Sequence, residues 1–535
     1  MCDLGAPLQT TSTLIPLPTT VRLYTFYLKN RSGSDCFVRK GDVYGVVTRV
    51  AQLSTEVSAA ELVRPPPSSH RPRRPRHTLP AAHPPTMLAL VLLAAVALAA
   101  AQNDTLPRPP APRREQFRVI YEWNAIDFEW KSPEDREVYL NTSRYIPQNV
   151  LISGINFYQD DLFLTMPRML DGVPATLATI PVAPTDTAPK LRPFPSWSQN
   201  AVGDCNALQF VQNIEIDKNG LMWILDNGRV GTLTQNPDAK CPPSLVLIDL
   251  KSGKNEMERI PFPADTVNPN TTYLNDLVVD NRNGDYAYIT DNSAVDPGII
   301  VFRRSDKKSW KVRDSLSMSS VSEATFFRIN GTSVNLPVNI DGIALGPQYR
   351  NEEGKVDRKV YYCPLSSYHL YAINASVLQN ESLGQQGNGA LRPYVVDLGS
   401  KASQTDGMKM DSTGVLFYGL IGNSTIAEWN TTVDFRVGQR TIARDPNYIQ
   451  WVDRFTFDNK GNVYVVINRL YNFVKNQVSV NEVNYRILKS HTGSKSYVFS
   501  EDLTDPTSPA GPQSAAAAPA LASSLLLLAL AQLLG

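Results

Sequence analysis

The sequence predicts an all-β fold, a six-bladed β-propeller whose four-stranded antiparallel blades surround a central channel. The first observation is a hairpin pattern that recurs six times, with copies starting 60 to 66 residues apart except for the last pair, at 47. The second is that strand-like runs such as SLVLIDL and GIIVFRR lie between the copies, which gives about four strands per repeat. Radial closure of such repeats leaves only short, protected sheet edges.

Each copy of the hairpin consists of a short alternating strand, an Asp/Asn/Gly turn and a returning strand rich in Tyr, Trp, Val and Ile. In chain order the copies are ISGINFYQDDLFLTM (152–166), QNIEIDKNGLMWIL (212–225), NDLVVDNRNGDYAYIT (275–290), DGIALGPQYRNEEGKVDRKVYYCPL (341–365), DGMKMDSTGVLFYGL (406–420) and DRFTFDNKGNVYVVI (453–467). We expect the segments 116–130 and 485–500 to supply the strands that close the ring. A pair of β-sandwiches would not explain the nearly fixed spacing.

The region before the repeats divides into three parts. Residues 1–86 end in a Pro/Arg/His-rich run that cannot bury enough apolar surface to fold, so we predict an unstructured or mistaken extension with Met87 as the working start. Residues 87–101 form an apolar run that ends in three alanines, which is typical of a signal peptide. The alternative is a membrane anchor, but about 14 apolar residues are short for a bilayer span. A Pro-rich linker (102–116) precedes the propeller domain, predicted at 117–500.

Glycosylation sequons and cysteines favour a secreted, extracellular protein. Eight Asn-x-Ser/Thr sequons follow the predicted cleavage point, at Asn103, Asn141, Asn270, Asn330, Asn374, Asn380, Asn423 and Asn430. After Met87 the cysteines are Cys205, Cys241 and Cys363. We predict a disulfide between Cys205 and Cys241, which encloses one repeat, and leave Cys363 either free or in another bond.

Residues 501–535 read as a low-complexity linker followed by the apolar tail AAAAPALASSLLLLALAQLLG. Small residues, a weakly polar spacer and a short apolar end are typical of a glycolipid-anchor signal, with Ser514 as the attachment point. The alternatives are a frayed tail and a short terminal span. Membrane association is predicted only through this tail.

Composition and missing motifs exclude several classes of function. A formal net charge of +1 provides no field that would attract nucleic acid. Only His369 and His491 follow Met87, so a multi-histidine copper site cannot be assembled. The chain has no zinc spacing, GxSxG elbow, P-loop or Rossmann glycine pattern, and we therefore predict no cofactor. His369 is interpreted as a hydrogen-bonded strand histidine.

Polar residues recur where the first strand of each blade begins. Counting back five positions from the turn Asp or Gly gives Gln212, Asn275, Asp341, Asp406 and Asp453, and Asn213 and Asp276 follow directly. In a propeller these positions meet at the mouth of the channel. Such a ring could hold Ca²⁺, share one proton between carboxylates as an acid or base, or bind an ammonium ligand. The alternative is that these side chains bond nearby backbone N–H groups and fix the turns.

Two other sets of residues are interpreted as structural. The turn motifs that begin at Asp217, Asp411 and Asp458 lie on the opposite face and need Gly for a positive φ. The tyrosine pairs at 286/288 and 361/362 are interpreted as packing residues of the blades.

Three long strings resemble the major royal jelly and yellow protein family of insects. They are YIPQNVLISGINFYQDDLFLTMPRMLDGVPATLATIP, LRPFPSWSQNAVGDCNALQFVQNIEIDKNGLMWILDNG and TYLNDLVVDNRNGDYAYITDNSAVDPGIIVF. The resemblance covers roughly 117–500. It implies a secreted six-bladed propeller, whereas the functions of members range from melanin and cuticle pigmentation to amine binding and nutrition.

Similarity to dopachrome-converting members implies a specific hypothesis, the cofactor-independent tautomerisation of an aminochrome. Asp341 or Asp406 would then be the base, and Asn213 and Asn275 would hydrogen-bond the quinone oxygen. The alternative is a non-catalytic carrier of a catecholamine or indoleamine, or a structural component of a pigment matrix, that uses the same channel mouth.

Overall fold

Six four-stranded antiparallel sheets form a ring in the computed structural model, which describes residues 116–501 and 503 except 184 and 283. The predicted six-bladed propeller is confirmed. The predictions for residues 1–115 and 504–535, including those for Asn103 and Ser514, lie outside the described residues.

Blades I to VI follow chain order, and their strands run from the channel outward. Blade I contains β2 Gly154–Tyr158, β3 Asp161–Thr165, β4 Leu177–Pro181 and β5 Arg192–Pro193. Blade II contains β6 Val211–Ile216, β7 Leu221–Asp226, β8 Ser244–Asp249 and β9 Met257–Pro261. Blade III contains β10 Leu274–Asp280, β11 Tyr286–Asp291, β12 Gly298–Arg303 and β13 Lys308–Val312.

A separate hairpin, β14 Phe326–Ile329 and β15 Thr332–Asn335, lies between blades III and IV. Blade IV contains β16 Ile340–Arg350, β17 Val356–Pro364, β18 His369–Asn374 and β19 Val396–Ser400. Blade V contains β20 Met408–Met410, β21 Val415–Leu420, β22 Thr425–Asn430 and β23 Gln439–Arg444. Blade VI contains β24 Trp451–Phe457, β25 Asn462–Asn468, β26 Tyr485–His491 and, as its outermost strand, β1 Arg118–Trp123.

Helices are short and lie in the connections. They are α1 Pro133–Asn141, α2 Ser315–Met318, α3 Ala375–Leu378, α4 Glu381–Gln385, α5 Phe435–Gly438 and α6 Leu470–Phe473. Single 3₁₀ turns occur at Pro147–Asn149, Ser198–Asn200, Leu250–Ser252, Ser322–Ala324, Arg392–Tyr394, Ile421–Asn423 and Tyr497–Phe499. Across the part of the chain that the structure describes, no helix combines the length and the apolar character needed to cross a membrane.

The two ends of the propeller meet in blade VI. Strand β1 pairs antiparallel with β26, from Arg118 opposite Lys489 to Trp123 opposite Tyr485. The expectation that segments 116–130 and 485–500 close the ring is therefore confirmed for these strands. After β26 the chain crosses the turn-side face, where Ser496 bridges Asp411.

The hairpin turns are built as the sequence predicts. Asp217 Oδ1 accepts hydrogen bonds from the backbone N–H groups of Asn219 and Leu221 at 2.8 and 3.1 Å. Gly220 then takes a φ of +78°. The turns Asp411 to Gly414 and Asp458 to Gly461 repeat this arrangement, so these carboxylates serve the turns.

Blade packing buries the aromatic residues that the sequence assigns to the core. Tyr286, Tyr288, Tyr361 and Tyr362 are at most 7% exposed. The rings of Tyr286 and Tyr288 stack with centroids 6.5 Å apart. These tyrosine side chains therefore contribute to packing between and within the blades.

The predicted disulfide joins Cys205 to Cys241 and spans 36 residues. It brackets the first hairpin of blade II, which begins at Val211. Cys363 is free and buried in β17, which settles the alternative left open by the sequence.

Candidate functional site at the channel mouth

The first strands of all six blades bring polar residues to one end of the channel. They surround an empty space of about 220 Å³ lined by Ser153, Gln212, Asn213, Asn275, Asp276, Asp341, Asp406, Gly407, Asp453 and Arg454. All seven residues that the sequence places at the mouth are among them.

Backbone irregularities occur where these strands reach the mouth. The pairing register shifts in β6 between Val211 and Asn213 and in β10 between Leu274 and Leu277. Similar shifts lie at Ile340/Ile343 in β16 and Val452/Arg454 in β24. Because a bulge redirects the side chains around it, these shifts allow consecutive polar residues to line the cavity.

Glycines let neighbouring first strands approach closely at the mouth. A Cβ atom on Gly407 would lie 1.7 Å from the backbone oxygen of Asp453, and one on Gly342 would lie 2.4 Å from that of Asp406. These glycines directly follow Asp406 and Asp341 in the chain. The close approach holds the carboxylates of blades IV, V and VI together.

Three carboxylates at the mouth are held by side chains. Asn275 Nδ2 donates to Asp341 Oδ1 at 2.7 Å, and Trp451 Nε1 donates to Asp406 Oδ2 at 2.6 Å. Asn468 Nδ2 donates to Asp453 Oδ2. These contacts fix the orientation of each carboxyl group by a partner on another strand.

Asn213 and Asp276 behave differently, because their side chains also bond the local backbone. Asn213 Oδ1 accepts from the N–H of Ile214 at 2.8 Å, and Asp276 Oδ1 accepts from that of Leu277 at 2.6 Å. Asn213 Nδ2 also donates to Asp276 Oδ1 at 3.2 Å. The interpretation that such residues fix the backbone thus describes these two positions well.

Burial and crowding favour the protonated forms of the three carboxyls. Asp341, Asp406 and Asp453 are 4%, 8% and 7% exposed. Burial raises the pKa of Asp406 to about 7, against the opposing effect of the Trp451 hydrogen bond. Burial, followed by the charge of Asp406, raises the pKa of Asp341 and that of Asp453 well above the usual range. The cluster can therefore hold protons near neutral pH.

Arg454 is a residue of the mouth that the sequence reasoning missed. It is 1% exposed, and one terminal nitrogen pairs with Asp276 Oδ2. Its Nε and Nη2 have no hydrogen-bond partner among the residues that the structure describes. Its position in the sequence could have placed it at the mouth, because Arg454 directly follows Asp453 just as Asp276 directly follows Asn275. A buried guanidinium with free donors suits a ligand oxygen.

Tyr273 and Trp451 were also not predicted at the mouth. Tyr273 is partly exposed, and its hydroxyl donates to Gln212 Oε1 at 3.1 Å. Burial, then the charges of Asp341, Asp453 and Asp406, raise the pKa of Tyr273 well above its usual value. This tyrosine therefore lies within electrostatic reach of all three carboxyls.

The remaining candidate residues lie away from the mouth. His369 Nδ1 contacts the Asp397 carboxylate at 2.9 Å in blade IV, as expected for a hydrogen-bonded strand histidine. Calcium binding at the mouth stays a prediction. Within the described part of the chain, no group of three or more His, Cys, Asp or Glu is arranged to hold a metal ion.

The sequons that the structure describes lie outside the channel. Five of the asparagines are exposed, namely Asn141, Asn270, Asn330, Asn380 and Asn430. Two are half-buried, namely Asn374 and Asn423. Glycosylation at these positions stays a prediction.

Comparison with known proteins places the chain in a family. A dopaminechrome tautomerase of Drosophila melanogaster is 27% identical over 386 residues, covering 70% of this chain and 82% of its own length. The protein yellow of Drosophila erecta is 29% identical over 375 residues, covering 69% of this chain and 67% of its own. A solved luciferin-regenerating enzyme is 14% identical with a TM-score of 0.39, covering 65% of this chain and 93% of that one. The family profile described as Major royal jelly protein matches residues 209–496, just over half of the 535 residues. The chain therefore belongs to the major royal jelly protein family.

Proposed function

We propose that this chain is an extracellular protein of the pigmentation pathway that tautomerises an aminochrome at the channel mouth. The observation that carries the proposal is the pair of buried carboxyls, Asp341 and Asp406, both with a raised pKa, in a small cavity that Arg454 also lines. Similarity to a dopaminechrome tautomerase supports the choice of substrate class.

Tautomerisation moves a proton from a ring carbon to a quinone oxygen. Burial, followed by the charge of Asp406 and a hydrogen bond to it, raises the pKa of Asp341, whereas the same hydrogen bond opposes the burial that raises the pKa of Asp406. In this mechanism Asp341 therefore carries the proton of the pair and Asp406 is the ionised base. Asp406 takes the proton from carbon, the electron pair moves through the conjugated ring, and the oxygen receives the proton of Asp341. Asp406 then returns its proton to Asp341 through the hydrogen bond between the two carboxyls, which restores the starting pair. Substrate and product are isomers with equal numbers of atoms and electrons.

Arg454 stabilises the negative charge that develops on the quinone oxygen. Arg454 lines the same space, and its Nε and Nη2 are buried donors that have no hydrogen-bond partner among the described residues. Preorganised donors of this kind are a large source of rate enhancement. Asn275 and Asn213 already donate to Asp341 and Asp276. In this mechanism they orient carboxylates, while Arg454 takes over the contact with the oxygen.

An extracellular location is supported by the disulfide and by the exposed sequons. A disulfide between Cys205 and Cys241 is typical of oxidising compartments. Five of the sequon asparagines described above are exposed to solvent, as glycosylation requires. Attachment to a membrane through Ser514 stays a prediction.

A second candidate function is binding of a catecholamine or indoleamine without turnover. It is favoured by Tyr273, an aromatic residue at the rim whose pKa is raised in part by Asp341, Asp453 and Asp406. Carboxylates beside an aromatic ring attract an ammonium group. This function would use the same cavity but would not require a proton on the carboxyl pair.

The experiment uses the full chain expressed in insect cells and freshly prepared dopaminechrome, with loss of visible absorbance followed against a buffer blank. We expect Asp341→Asn and Asp406→Asn to lower kcat by about 10²- to 10⁴-fold, as for loss of a general acid or base. Asp306→Asn, which alters an exposed pair with Arg303, is the matched control and should retain full activity.

Decay no faster than the blank would refute the tautomerase for this substrate. Saturable binding of dopamine or serotonin by the same preparation would then support the second candidate. If Asp341→Asn and Asp406→Asn both convert dopaminechrome as fast as the unsubstituted protein, the reaction does not depend on these carboxyls and takes place at another site.

A further inference from the structure

A hydroxyl, an imidazole and a carboxylate meet in sequence on the outer edge of blade IV. Ser400 Oγ lies 3.3 Å from Nε2 of His369, and Nδ1 of the same ring lies 2.9 Å from both carboxylate oxygens of Asp397. The residues belong to β18 and to β19, the outermost strand of the blade. None of the three lines the channel mouth, so the proposed tautomerisation does not use them.

A register shift between β18 and β19 brings these side chains to one face of the sheet. Ser400 lies opposite His369. Three positions earlier in β19, Asp397 lies opposite Tyr371, which is only two positions further along β18. In a regular strand, residues three apart point to opposite faces because side chains alternate. The extra residue in β19 acts as a bulge and turns Asp397 to the same side as Ser400 and His369.

Neighbouring groups fix the orientation of the carboxylate and the ring. Gly399 takes a φ of +114°, which favours glycine, and its N–H donates to Asp397 Oδ1 at 2.9 Å. The His369 carbonyl accepts from Lys401 Nζ at 2.9 Å. The His369 ring stacks on that of Tyr371 with centroids 6.2 Å apart. The backbone and these contacts, and not only side-chain rotation, therefore hold the arrangement.

The order of the contacts is that of a serine–histidine–carboxylate triad. A carboxylate accepts hydrogen bonds, so Nδ1 of the neutral His369 ring carries the proton and Nε2 presents its lone pair to the Ser400 hydroxyl. Such a triad is recognised by its geometry and by the role of each group, not by sequence position. Two adjacent strands can therefore supply it without a GxSxG elbow.

We propose that Ser400, His369 and Asp397 form a second reactive site, which hydrolyses activated carboxylic esters through an acyl-serine intermediate. Ser400 and His369 are its catalytic residues, and Asp397 is a positioning residue that acts through the His369 ring. The side chains of His369 and Asp397 are 42% and 47% exposed, so solvent weakens the electrostatic stabilisation of a tetrahedral oxyanion. This exposure limits the substrates to esters with a good leaving group, such as aryl acetates.

The reaction has two halves. Ser400 Oγ forms a bond to the acyl carbon while its proton passes to His369 Nε2. The bond between the acyl carbon and the aryl oxygen breaks, and that oxygen takes the proton from Nε2. Water then attacks the acyl-serine with His369 as the base, which releases the carboxylic acid and returns a proton to Ser400 Oγ.

The test uses the full chain expressed in insect cells and p-nitrophenyl acetate. Release of p-nitrophenol is followed by absorbance, and acetylation is followed by peptide mass spectrometry. We expect a burst followed by slower turnover, with an acetyl group on Ser400. Ser400→Ala should remove both the burst and the acetyl group. His369→Gln should lower kcat about 10²-fold or more, as for loss of a general base.

Matched substitutions separate the triad from exposed side chains in general. His491→Gln is the control for His369→Gln, because the His491 ring is also at the surface but contacts the amide of Asn462 instead of a carboxylate. Ser305→Ala is the control for Ser400→Ala, since Ser305 is an exposed serine in a turn of blade III. Both controls should hydrolyse the ester as fast as the unsubstituted protein.

Asp397→Asn tests the positioning role. It should lower kcat at an unchanged KM, because Asp397 acts on the His369 ring and does not touch the ester. The three side chains lie at the surface, so the variants should fold. A carboxylate that only ties β19 to β18 would leave kcat unchanged in Asp397→Asn, and that result would overturn the proposal. Absence of a burst and of acetylation at Ser400 would overturn it as well.

Discussion

Trp451 Nε1 donates a 2.6 Å hydrogen bond to Asp406 Oδ2 and so joins the first strands of blades V and VI at the channel mouth. The indole is fully buried and the carboxyl is 8% exposed. A donor to the ionised form lowers the pKa of a carboxyl, and here it opposes the burial that raises the pKa of Asp406 to about 7. Trp451 is therefore a positioning residue that sets the protonation state of the mouth.

Replacement of this donor gives the first prediction. In Trp451→Phe we expect the acid limb of the kcat/KM profile for dopaminechrome to move to higher pH, because Asp406 loses a bond that favours its ionised form. Activity should fall more at pH 6 than at pH 8. Trp429→Phe is the control, since that indole donates to the Val433 carbonyl instead. A profile that stays in place, or moves to lower pH, would contradict the assignment of Asp406 as the base.

Folding stability should depend on the same carboxyl. Because the pKa of Asp406 is about 7 in the folded protein, above the ordinary value of 3.8, the folded state keeps a proton that the unfolded state releases. The stability that this group contributes is complete below pH 3.8 and is lost as the pH rises through 7.

The variant Asp406→Asn removes this dependence. Relative to it, the unsubstituted protein should lose on the order of 2 kcal/mol of unfolding free energy between pH 5 and pH 8, measured by urea denaturation. Asp306→Asn keeps Asp406 and should lose stability in parallel with the unsubstituted protein, because Arg303 lowers the pKa of Asp306 and this carboxyl is ionised throughout the range. Parallel pH curves for Asp406→Asn and the unsubstituted protein would show that Asp406 is charged in the fold.

The blades could be predicted from the sequence because each hairpin copy is a local pattern. The mouth residues could be located because their register is counted from a turn Asp or Gly only a few residues away. Arg454 and Trp451 escaped prediction, since their inward orientation depends on a register shift in β24 and on packing against blade V. The same limit applies to Tyr497, which follows a correctly predicted closing strand but inserts into the channel through contacts with Glu215 and Val279.

Close approach of the first strands at Gly407 can be tested directly. In Gly407→Ala the new methyl group would overlap the backbone oxygen of Asp453, 1.7 Å away. We expect a loss of about 1–3 kcal/mol in unfolding free energy, as for overpacking, together with weakened ligand binding at the mouth.

Gly253→Ala is the comparison, because no atom lies within 4 Å of its Cβ position and its φ is +66°. That variant should lose stability through backbone strain of about 1–2 kcal/mol, with binding unchanged. Unaltered binding in Gly407→Ala would mean that the mouth does not depend on this approach.

The disulfide between Cys205 and Cys241 should stabilise blade II without taking part in chemistry. Closure of its 36-residue loop reduces the entropy of the unfolded chain, which corresponds to about 4 kcal/mol at 25 °C in the loop-entropy treatment. We therefore expect the double variant Cys205→Ser/Cys241→Ser to lose about 2–4 kcal/mol in urea denaturation. Reduction of the unsubstituted protein should reproduce that loss, since Cys363 is not in a disulfide.

The bridge brackets the hairpin that carries Gln212 and Asn213. The decisive measurement is therefore the dopaminechrome-converting activity of the double variant at urea concentrations below its unfolding transition. Full activity with a lowered unfolding midpoint would assign the bridge to stability alone, whereas an unchanged midpoint would mean that packing of blade II already holds this loop.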